Sequence, residues 1–276
     1  MSDPFARERT MHEVRTRRVR VVRTADIAPR LRRITVAGDD LAGFRADGPA
    51  DHVKVFFPDP VTGILTVPEP GGFRSPAADG SLPILRDYTP VAFRAEGPAG
   101  PELDLDFVLH GDHGVAGPWA SRAQVGDELG IGGPRGSLGA PAGASRAVIV
   151  ADESALPAAA RWLRAFAAIP VLGLFLVDDP DVATYLSGSR TGAHDLRWFT
   201  GADREASLDA ALRAAPIDAG TFCFLAGEAT TLIPLRRYLR RELGLGRAQA
   251  DVHGYWKRGV AALDHHAPLD PGDPDD

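Results

Sequence analysis

The pattern of secondary-structure signals changes near residue 140, and this change limits the folds open to the chain. Before it, short runs rich in Val, Ile, Thr and Phe alternate with Pro and Gly turns, which is typical of a small antiparallel β-barrel. After it, apolar strands lead into amphipathic helices, which predicts a parallel sheet covered on both faces. We therefore expect a β-barrel domain over residues 12–140, a parallel-sheet α/β domain over 145–260, and an acidic, Pro-rich tail over 261–276 that is partly disordered.

The predicted elements follow from these two patterns. In the clearest strand, LDLDFVLHG (103–111), apolar residues on one face alternate with Asp104, Asp106, Val108 and His110 on the other, so one face belongs to a core. The other barrel strands are expected at 14–27, 31–38, 51–58, 63–70, 85–93 and 127–134, with a helix at 115–124. The second part predicts strands at 147–152, 171–179, 194–200, 221–227 and 249–256, helices at 154–168, 204–215 and 230–243, and a short element at 181–186.

The overall charge of the chain argues against two classes of partner. Its formal net charge of -6 disfavours bulk attraction to nucleic acid or to an anionic membrane. The N-terminal sequence lacks the apolar core of a signal peptide, and no run of 18 uninterrupted apolar residues occurs. We expect a cytoplasmic monomer that binds neither nucleic acid nor a membrane. The single cysteine, Cys223, lies in the apolar run TFCFLAG, which predicts a packing role.

A strand of the barrel part carries the motif RDYTP. The period of a strand places Arg86 and Tyr88 on one face, with the Thr89 hydroxyl next in line. A flavin dinucleotide needs such a set, namely a planar ring beside it, a fixed cation for its pyrophosphate and a donor for a ring heteroatom. The motif alone equally suits a strand with an exposed, ion-paired Arg and a Tyr that keeps its hydroxyl in water.

A glycine-rich turn follows the strand that ends near His110. Residues Gly114–Gly117 lead into the short predicted helix, where exposed backbone N–H groups and the helix dipole favour a phosphate. His110 and His113 also have a spacing seen in metal sites. Because no further ligands occur at suitable spacing, we expect no metal site.

Two strand-to-helix turns of the second part are expected at the carboxyl ends of parallel strands, where such sheets bind ligands. The turn VADESALPA lacks the glycines of a dinucleotide-binding fingerprint, and its Asp152 or Ser154 also suits a helix cap. The turn LAGEATTLIP has Gly227 for a close backbone approach, followed by Glu228. Taken singly, each turn is also an ordinary helix start.

The placement of lysine is uneven. Lys54 and Lys257 are the two lysines of the sequence, and the other basic residues are arginines, including Arg258. Lys54 alternates with apolar residues on a barrel strand, and Lys257 follows two aromatic residues after the last strand. Both positions suit either a binding site or ordinary surface charge.

An ordered set of motifs covers nearly the whole chain: DHVKVFFP, RDYTP, DFVLHGDHGVAGPWA, ADESALPAAARWL, LAGEAT, LRRYLRRELGL and GYWKRG. The set resembles the siderophore-interacting protein family, which are FAD-dependent ferric-siderophore reductases of the ferredoxin-reductase superfamily. The resemblance implies an FAD-binding barrel, an NAD(P)H-binding α/β domain and reduction of siderophore-bound iron in the cytoplasm. Reduction would proceed by hydride transfer from NAD(P)H to FAD and then by single electrons to Fe(III), so no catalytic side chain is expected.

The resemblance also implies roles for individual residues. For the flavin it implies Arg86, Asp87, Tyr88, Thr89, Asp106, Val108, His110, Gly114, Val115, Ala116 and Gly117. In the second domain it implies cofactor contacts from Asp152, Glu153, Ser154, Gly227, Glu228 and Trp256. For a ferric siderophore it implies a basic pocket with Lys54, Lys257 and Arg258. The family often has Ser where this chain has Gly117, so a backbone N–H must take the place of the Ser hydroxyl at the pyrophosphate.

Two other functions fit the same sequence. One is a general flavin or ferredoxin-type reductase with a different acceptor, and the other is a siderophore-binding protein without efficient turnover. The donor also stays open between NADH, NADPH and a ferredoxin. The acidic run LVDDPD at the end of a strand would repel a 2′-phosphate and favours NADH, whereas Arg161, Arg164 or Arg197 could reverse the local field.

Overall fold

The chain folds into two compact units in the computed structural model, which describes residues 3–68, 72–73, 75–76, 80–111, 114–261, 263 and 268–273. The barrel unit comprises Arg9–Gly139, and the α/β unit comprises Ala140–Asp276 together with the residues that precede Arg9. Among the described residues, no helix is long and apolar enough to cross a membrane.

The barrel unit is built from antiparallel strands and one short helix. The strands are β1 (Arg9–Met11), β2 (Thr16–Ala28), β3 (Leu31–Ala37), β4 (Val53–Phe57), β5 (Ile84–Tyr88), β6 (Pro90–Gly97), β7 (Gly100–Val108), β8 (Glu128–Gly132) and β9 (Gly136–Leu138), and the helix is α1 (Ala116–Arg122). Seven of the strands form one sheet in the order β5-β4-β8-β2-β3-β7-β6. Only Thr89 separates β5 from β6, so the two edge strands of this sheet are consecutive in the chain. The predicted antiparallel barrel is confirmed.

Alternating residues of the barrel strands fill its interior. Val53, Val55 and Phe57 of β4 are at most 1% exposed, and Leu105 and Phe107 of β7 are fully buried beside them. Their polar neighbours on each strand point the other way, as the strand period requires.

The α/β unit has a five-stranded parallel sheet with helices on both faces. Its elements are β10 (Arg146–Asp152), α2 (Leu156–Ala165), β11 (Val171–Leu176), β12 (His194–Phe199), α3 (Arg204–Arg213), β13 (Thr221–Glu228), α4 (Ala229–Arg237) and β14 (Ala250–Trp256). The strand order is β12-β11-β10-β13-β14. Trp162 of α2 packs against Phe222 and Phe224 on one face, while α3 and α4 bury leucines on the other. The predicted α/β domain is confirmed.

Several elements differ from the predictions. The single strand expected over 85–93 is divided at Thr89 into β5 and β6. The run 63–70 is not a strand, because among its described residues only Leu65 pairs, in an isolated bridge with Pro58. The short element at 181–186 is a 3-10 helix over Pro180–Ser189. The helix expected over 230–243 ends as α4 at Arg237 and continues as a π-helical turn. The short pair β1 and β9 was not predicted, since neither strand has more than three residues.

Both ends of the chain contact the α/β unit. The Phe5 ring lies 6.5 Å from that of Phe222, and the Arg7 guanidinium is 2.8 Å from the Asp251 carboxylate. In the tail, Asp270 and Asp273 are buried and pair with arginines of α4 and the following turn, namely Arg236, Arg237 and Arg241. This part of the tail is therefore held in place, and the predicted disorder of the tip concerns 274–276, which lie outside the described residues.

Cys223 has the packing role that the sequence predicts. It lies in the central part of β13, is fully buried, and burial raises the pKa of its thiol to about 12. A thiol with so high a pKa is not a nucleophile at neutral pH.

Candidate functional site

A crevice opens in the α/β unit at the carboxyl ends of β10 and β13. The strands β11 and β12, which follow β10, lie on one side of it, and β13 and β14 lie on the other, so the direction in which strands are added to the sheet reverses between β10 and β13. In open parallel sheets, ligands bind at this reversal, outside the carboxyl ends of the strands. The two turns singled out in the sequence, at Asp152 and Gly227, both lie here.

Asp152 holds three segments of the crevice together. One carboxylate oxygen accepts the Ser154 N–H at 2.9 Å and the Ser154 hydroxyl, and the other accepts the Glu228 N–H at 2.9 Å and the Trp256 indole N–H at 2.7 Å. Burial raises the pKa of this carboxyl, while these hydrogen bonds oppose the shift. With four donors already bound, the carboxylate positions the segments of the crevice, and the cofactor contact expected of Asp152 stays a prediction.

Gly227 is required by this arrangement. Its φ of 148° lies in a region that L side chains rarely adopt, and a Cβ there would lie 2.7 Å from the Asp152 carboxylate carbon. The sequence predicts that Gly227 allows a close approach to the backbone, and the group that approaches it is the Asp152 carboxylate.

Glu228 joins the start of α4 to the segment after β14. Its carboxylate accepts the Thr231 N–H at 2.7 Å and the Arg258 backbone N–H at 3.1 Å. Burial alone would raise the pKa of this carboxyl, but the hydrogen bonds from Arg258 and Thr231 overcome it and hold the pKa below its ordinary value. Glu228 is therefore charged at neutral pH, and it is only 8% exposed.

Two adjoining cavities occupy the crevice. The larger, of about 260 Å³, lies between α3 and α4, and its lining is Glu205, Leu208, Asp209, Glu228, Thr230, Thr231, Pro234, Leu235 and Arg258. The smaller lies over Asp152, Gly227 and Trp256. Because Glu205, Glu228, Thr231 and Arg258 line both, the two cavities are continuous.

Glu153 and Asp178 make the side of the crevice at the end of β11 acidic. The Glu153 carboxylate accepts the backbone N–H of Asp178, and burial raises the pKa of Glu153. The Arg204 guanidinium is 2.5 Å from the Asp178 carboxylate, so the charges of these two groups offset each other.

The crevice also contains residues that the sequence did not single out. Glu205 and Asp209 belong to α3, whose start follows the carboxyl end of β12, and Thr231 lies in the first turn of α4. The available signal was the third strand-to-helix turn, FTGADRE, which must open at the same edge of a parallel sheet as the other two.

In the barrel unit, Tyr88 is the central aromatic residue of the RDYTP motif. Its ring centroid is 4.4 Å from that of Phe107 and 6.3 Å from that of Phe57, and the ring is only partly exposed. Burial raises the pKa of its phenol, with the charge of Arg86 opposing the shift. The ring is thus fixed against the barrel core, and Thr89, 7% exposed, follows it at the strand bend.

Arg86 and Asp87 point to opposite faces of β5. Arg86 is half-buried, and one of its guanidinium nitrogens donates to the Leu85 carbonyl at 2.6 Å. Asp87 lies directly across from Lys54 of β4, and its carboxylate accepts from the lysine ammonium at 2.8 Å. The side chain of Lys54 is only 13% exposed, so its charge is largely shared with Asp87.

The carboxylate of Asp106, for which the family resemblance implies a contact with the flavin, is paired within the barrel unit. Both of its oxygens accept from the Arg33 guanidinium at 2.8 Å, and the side chain is fully buried. Such a two-point pair satisfies the carboxylate. A contact of Asp106 with a cofactor would have to come from its backbone.

The predicted phosphate turn lies between the end of β7 and α1. Val108 and His110 border Gly117, where a Cβ would lie 3.6 Å from the Val108 carbonyl oxygen and 3.9 Å from the His110 ring. Gly114 has a φ of 80°, a conformation that favours glycine. Val115 makes no side-chain cap and Ala116 opens α1, so the turn presents mainly backbone at this point.

Of the histidine pair considered for a metal site, His113 lies outside the described residues. Within the part of the chain that the structure describes, no group of three or more His, Cys, Asp or Glu side chains is arranged to hold a metal ion.

The basic residues expected at a siderophore are divided between the units. Lys54 belongs to the barrel unit, whereas Lys257 and Arg258 follow β14 in the α/β unit and are exposed. Lys257 pairs with Val260 in an isolated bridge, which makes a tight turn of this segment.

Comparisons with known proteins match both units. The family model for a siderophore-interacting FAD-binding domain matches residues 20–138, and that for a siderophore-interacting protein matches residues 144–259. The ferric vibriobactin reductase ViuB of Vibrio cholerae is 32% identical over 250 residues, which are 89% of this chain and 90% of that protein. The NADPH-dependent ferric-chelate reductase of Escherichia coli is 34% identical over 242 residues, 85% of this chain and 91% of that protein.

Solved structures agree with this assignment. A siderophore utilization protein from T. fusca is 38% identical, with a TM-score of 0.84 over 95% of this chain and 100% of that chain. The ferredoxin reductase of carbazole 1,9a-dioxygenase, 15% identical, shares the fold with a TM-score of 0.63 over 88% of this chain and 70% of that chain. Given the two matched domains and full-length relatives of 30% identity or more, the chain belongs to the siderophore-interacting protein family.

Proposed function

We propose that the protein is an FAD-dependent ferric-siderophore reductase that takes its electrons from a reduced nicotinamide. The observation that carries the proposal is family membership over both units, together with relatives named as ferric vibriobactin and ferric-chelate reductases. The crevice at the carboxyl edge of the parallel sheet supports a nucleotide in the second unit. The reaction is proposed to take place in the cytoplasm, by a monomer, with a ferredoxin as the alternative electron donor.

The residues of the barrel unit fit FAD. The partly exposed Tyr88 is braced by Phe107, Arg86 supplies a cation, and the turn that leads into α1 presents mainly backbone. We propose that Arg86, Tyr88, Thr89 and the turn Gly114–Gly117 hold the cofactor. Bound FAD accepts a hydride and returns single electrons, so one nicotinamide reduces two Fe(III) ions to Fe(II) and releases one proton.

The basic residues support an anionic substrate. Ferric catecholate and hydroxamate complexes present oxygen ligands, often with net negative charge, and a local cation attracts them to an acidic protein. Lys257 and Arg258 are exposed and suit this role. The charge of Lys54 is shared with Asp87, so we expect a smaller contribution from it. Fe(II) binds hard anionic oxygens less strongly than Fe(III), so reduction releases the metal.

A spectrum and two rate measurements test the proposed function. We expect the purified protein to show a flavin spectrum, a nicotinamide to bleach it in stopped flow, and a ferric siderophore to reoxidise it with Fe(II) trapped by a chelator. Nicotinamide oxidation should accelerate with the ferric siderophore and not with the iron-free siderophore. A protein that takes up no FAD on reconstitution would end the proposal, and bleaching without reoxidation by ferric siderophores would point to another acceptor.

Replacing Arg86 by Ala is expected to weaken FAD binding about tenfold or more, because a cation that faces a pyrophosphate contributes roughly 1.5–3 kcal/mol. The measurement is the FAD dissociation constant, obtained by titrating the deflavinated protein. Arg20→Ala is the matched control, since Arg20 is an exposed arginine of the same unit that pairs with Glu128. Full flavin occupancy in the Arg86→Ala variant would show that this strand does not hold the cofactor.

A further inference from the structure

We propose that the larger cavity of the α/β unit accepts the adenosine ribose of NADH and discriminates against the 2′-phosphate of NADPH, so that NADH is the electron donor. This inference rests on the proposed function and narrows its donor. It depends on the shape of the crevice, on the charges that line it, and on the partners that the nearby arginines already have.

The shape of the crevice suits an extended dinucleotide. The larger cavity, about 260 Å³ between α3 and α4, has an apolar base formed by Leu208, Pro234 and Leu235. It continues into the smaller cavity at the carboxyl ends of β10 and β13, where Trp256 is 41% exposed. A ligand bound at this reversal of the sheet can therefore extend from the Trp256 side to the space between the two helices.

The charges that line the larger cavity are mainly negative. Its ionisable groups are Glu205, Asp209 and Glu228 against the single cation Arg258. Glu228 is committed to the backbone N–H groups of Thr231 and Arg258, and Asp209 is 2.9 Å from the Arg213 guanidinium. Glu205 is exposed, and the Thr231 hydroxyl lies 3.4 Å from its carboxylate.

Glu205 is therefore the group that meets the ribose. A carboxylate accepts hydrogen bonds from the two hydroxyls of an unmodified ribose, as the acidic residue of NAD-binding sheets does. A 2′-phosphate instead brings a charge of roughly -1.5 to -2, which the carboxylate repels. Thr230 and Thr231, which also line the cavity, can donate to either ligand and do not distinguish them.

The nearby arginines do not cancel the negative charge that lines the larger cavity. Arg204 is 2.5 Å from the Asp178 carboxylate, and that pair lies beside Glu153. Arg197 pairs with Asp195, and Arg164 donates to the Ser189 hydroxyl. Among the described residues, the cations that line the two cavities are Arg204, which is paired with Asp178, and Arg258, whose one positive charge stands against the carboxylates of Glu205, Asp209 and Glu228.

Family membership does not decide the donor. A relative 34% identical is named an NADPH-dependent ferric-chelate reductase. The selectivity of this chain must therefore come from its own residues, and Glu205 is the one whose charge can be changed at an exposed position.

Binding of two fragments tests the inference without turnover. The oxidised, flavin-loaded protein is titrated by calorimetry with ADP-ribose and with 2′-phospho-ADP-ribose. We expect ADP-ribose to bind on the order of tenfold more tightly, as one or two unscreened charge repulsions at this range imply. Glu205→Gln should reduce the preference for ADP-ribose severalfold, and Glu205→Lys should reverse it, so that 2′-phospho-ADP-ribose binds more tightly. The control Glu96→Gln removes one exposed carboxylate from the barrel unit, and it should leave the ratio unchanged.

Rates of flavin bleaching by NADH and NADPH separate this inference from the function on which it rests. Faster bleaching by NADH, with the preference reduced in Glu205→Gln, supports both. Equal bleaching by the two nucleotides, equal binding of the two fragments, or a ratio that Glu205→Lys leaves unchanged would overturn the NADH assignment and leave the reductase intact. Bleaching by neither nucleotide would overturn both.

Discussion

Replacing Arg94 by Ala is expected to lower the free energy of unfolding by about 2–4 kcal/mol, because it leaves buried carboxylates without their partner. Arg94, on β6, donates to the Glu102 carboxylate at 3.0 Å and to both oxygens of Asp104, at 2.7 and 2.8 Å. The side chains of Glu102 and Asp104, both on β7, are 1% and 7% exposed. Arg23 and the Thr35 hydroxyl remain as single contacts and cannot neutralise both charges.

Urea denaturation of the flavin-loaded protein measures this loss, with flavin content checked in each sample because bound cofactor adds to stability. The matched control is again Arg20→Ala. Arg20 and its partner Glu128 are 66% and 41% exposed, so this pair should contribute less than about 1 kcal/mol. Equal losses in the two variants would contradict the buried-pair argument.

The same variant should show an altered dependence on pH. Burial alone would raise the pKa of Asp104 and Glu102, but the hydrogen bonds from Arg94 overcome it and lower both pKa values. Lowered pKa values stabilise the folded state above about pH 4 and lose this contribution as the pH falls through the folded values. Without Arg94 the pKa values rise, so the gap between the two proteins should be largest at neutral pH and shrink towards pH 4.

Replacing Gly227 by Ala is expected to slow flavin reduction by the nicotinamide about 100-fold, which is the scale of effect for a misplacement near 1 Å. The added Cβ would lie 2.7 Å from the Asp152 carboxylate, at a φ of 148° that alanine does not readily adopt. Relief requires Asp152 to move, and its bonds to Trp256 and Glu228 would be lost with it. Stopped-flow bleaching measures the rate.

Two observations separate this effect from general damage. The flavin spectrum should be unchanged, because the residues proposed to hold FAD belong to the barrel unit. Gly188→Ala is the control, since a Cβ at Gly188 of the α/β unit meets nothing within 4 Å. If the flavin of the Gly227→Ala variant is reduced at the normal rate, Asp152 and its hydrogen-bond partners do not shape the nicotinamide site.

Regular patterns made most of the fold predictable. Alternating residues such as those of β7 specify a face, and the change of rhythm near residue 140 specifies two domains. One error shows the limit of such patterns: the run 63–70 has strand composition, yet among its described residues only Leu65 finds a partner. Whether such a run forms a strand depends on pairing with residues distant in sequence, which its own composition does not reveal.

The site was predictable in location and only partly in role. Positions at the carboxyl ends of strands follow from the order of the elements, so Asp152, Gly227 and Glu228 could be brought together in advance. Their roles depend on which donors meet each carboxylate. For Asp152 and Asp106 the sequence does not reveal the internal partners that the structure shows, which are Trp256 and Arg33. Glu205 was missed because the turn FTGADRE was not included among the strand-to-helix turns of the site.

The arm at residues 3–8 makes the α/β unit discontinuous in sequence, and this affects how the protein can be divided. A fragment that begins at Ala140 lacks Phe5 and Arg7, so Phe222 loses an aromatic neighbour and Asp251 loses an ion pair. A fragment limited to Arg9–Gly139 omits no part of its own unit. On the ribosome, the arm emerges before any of the strands it contacts, so it can dock only after β13 and β14 have been synthesised.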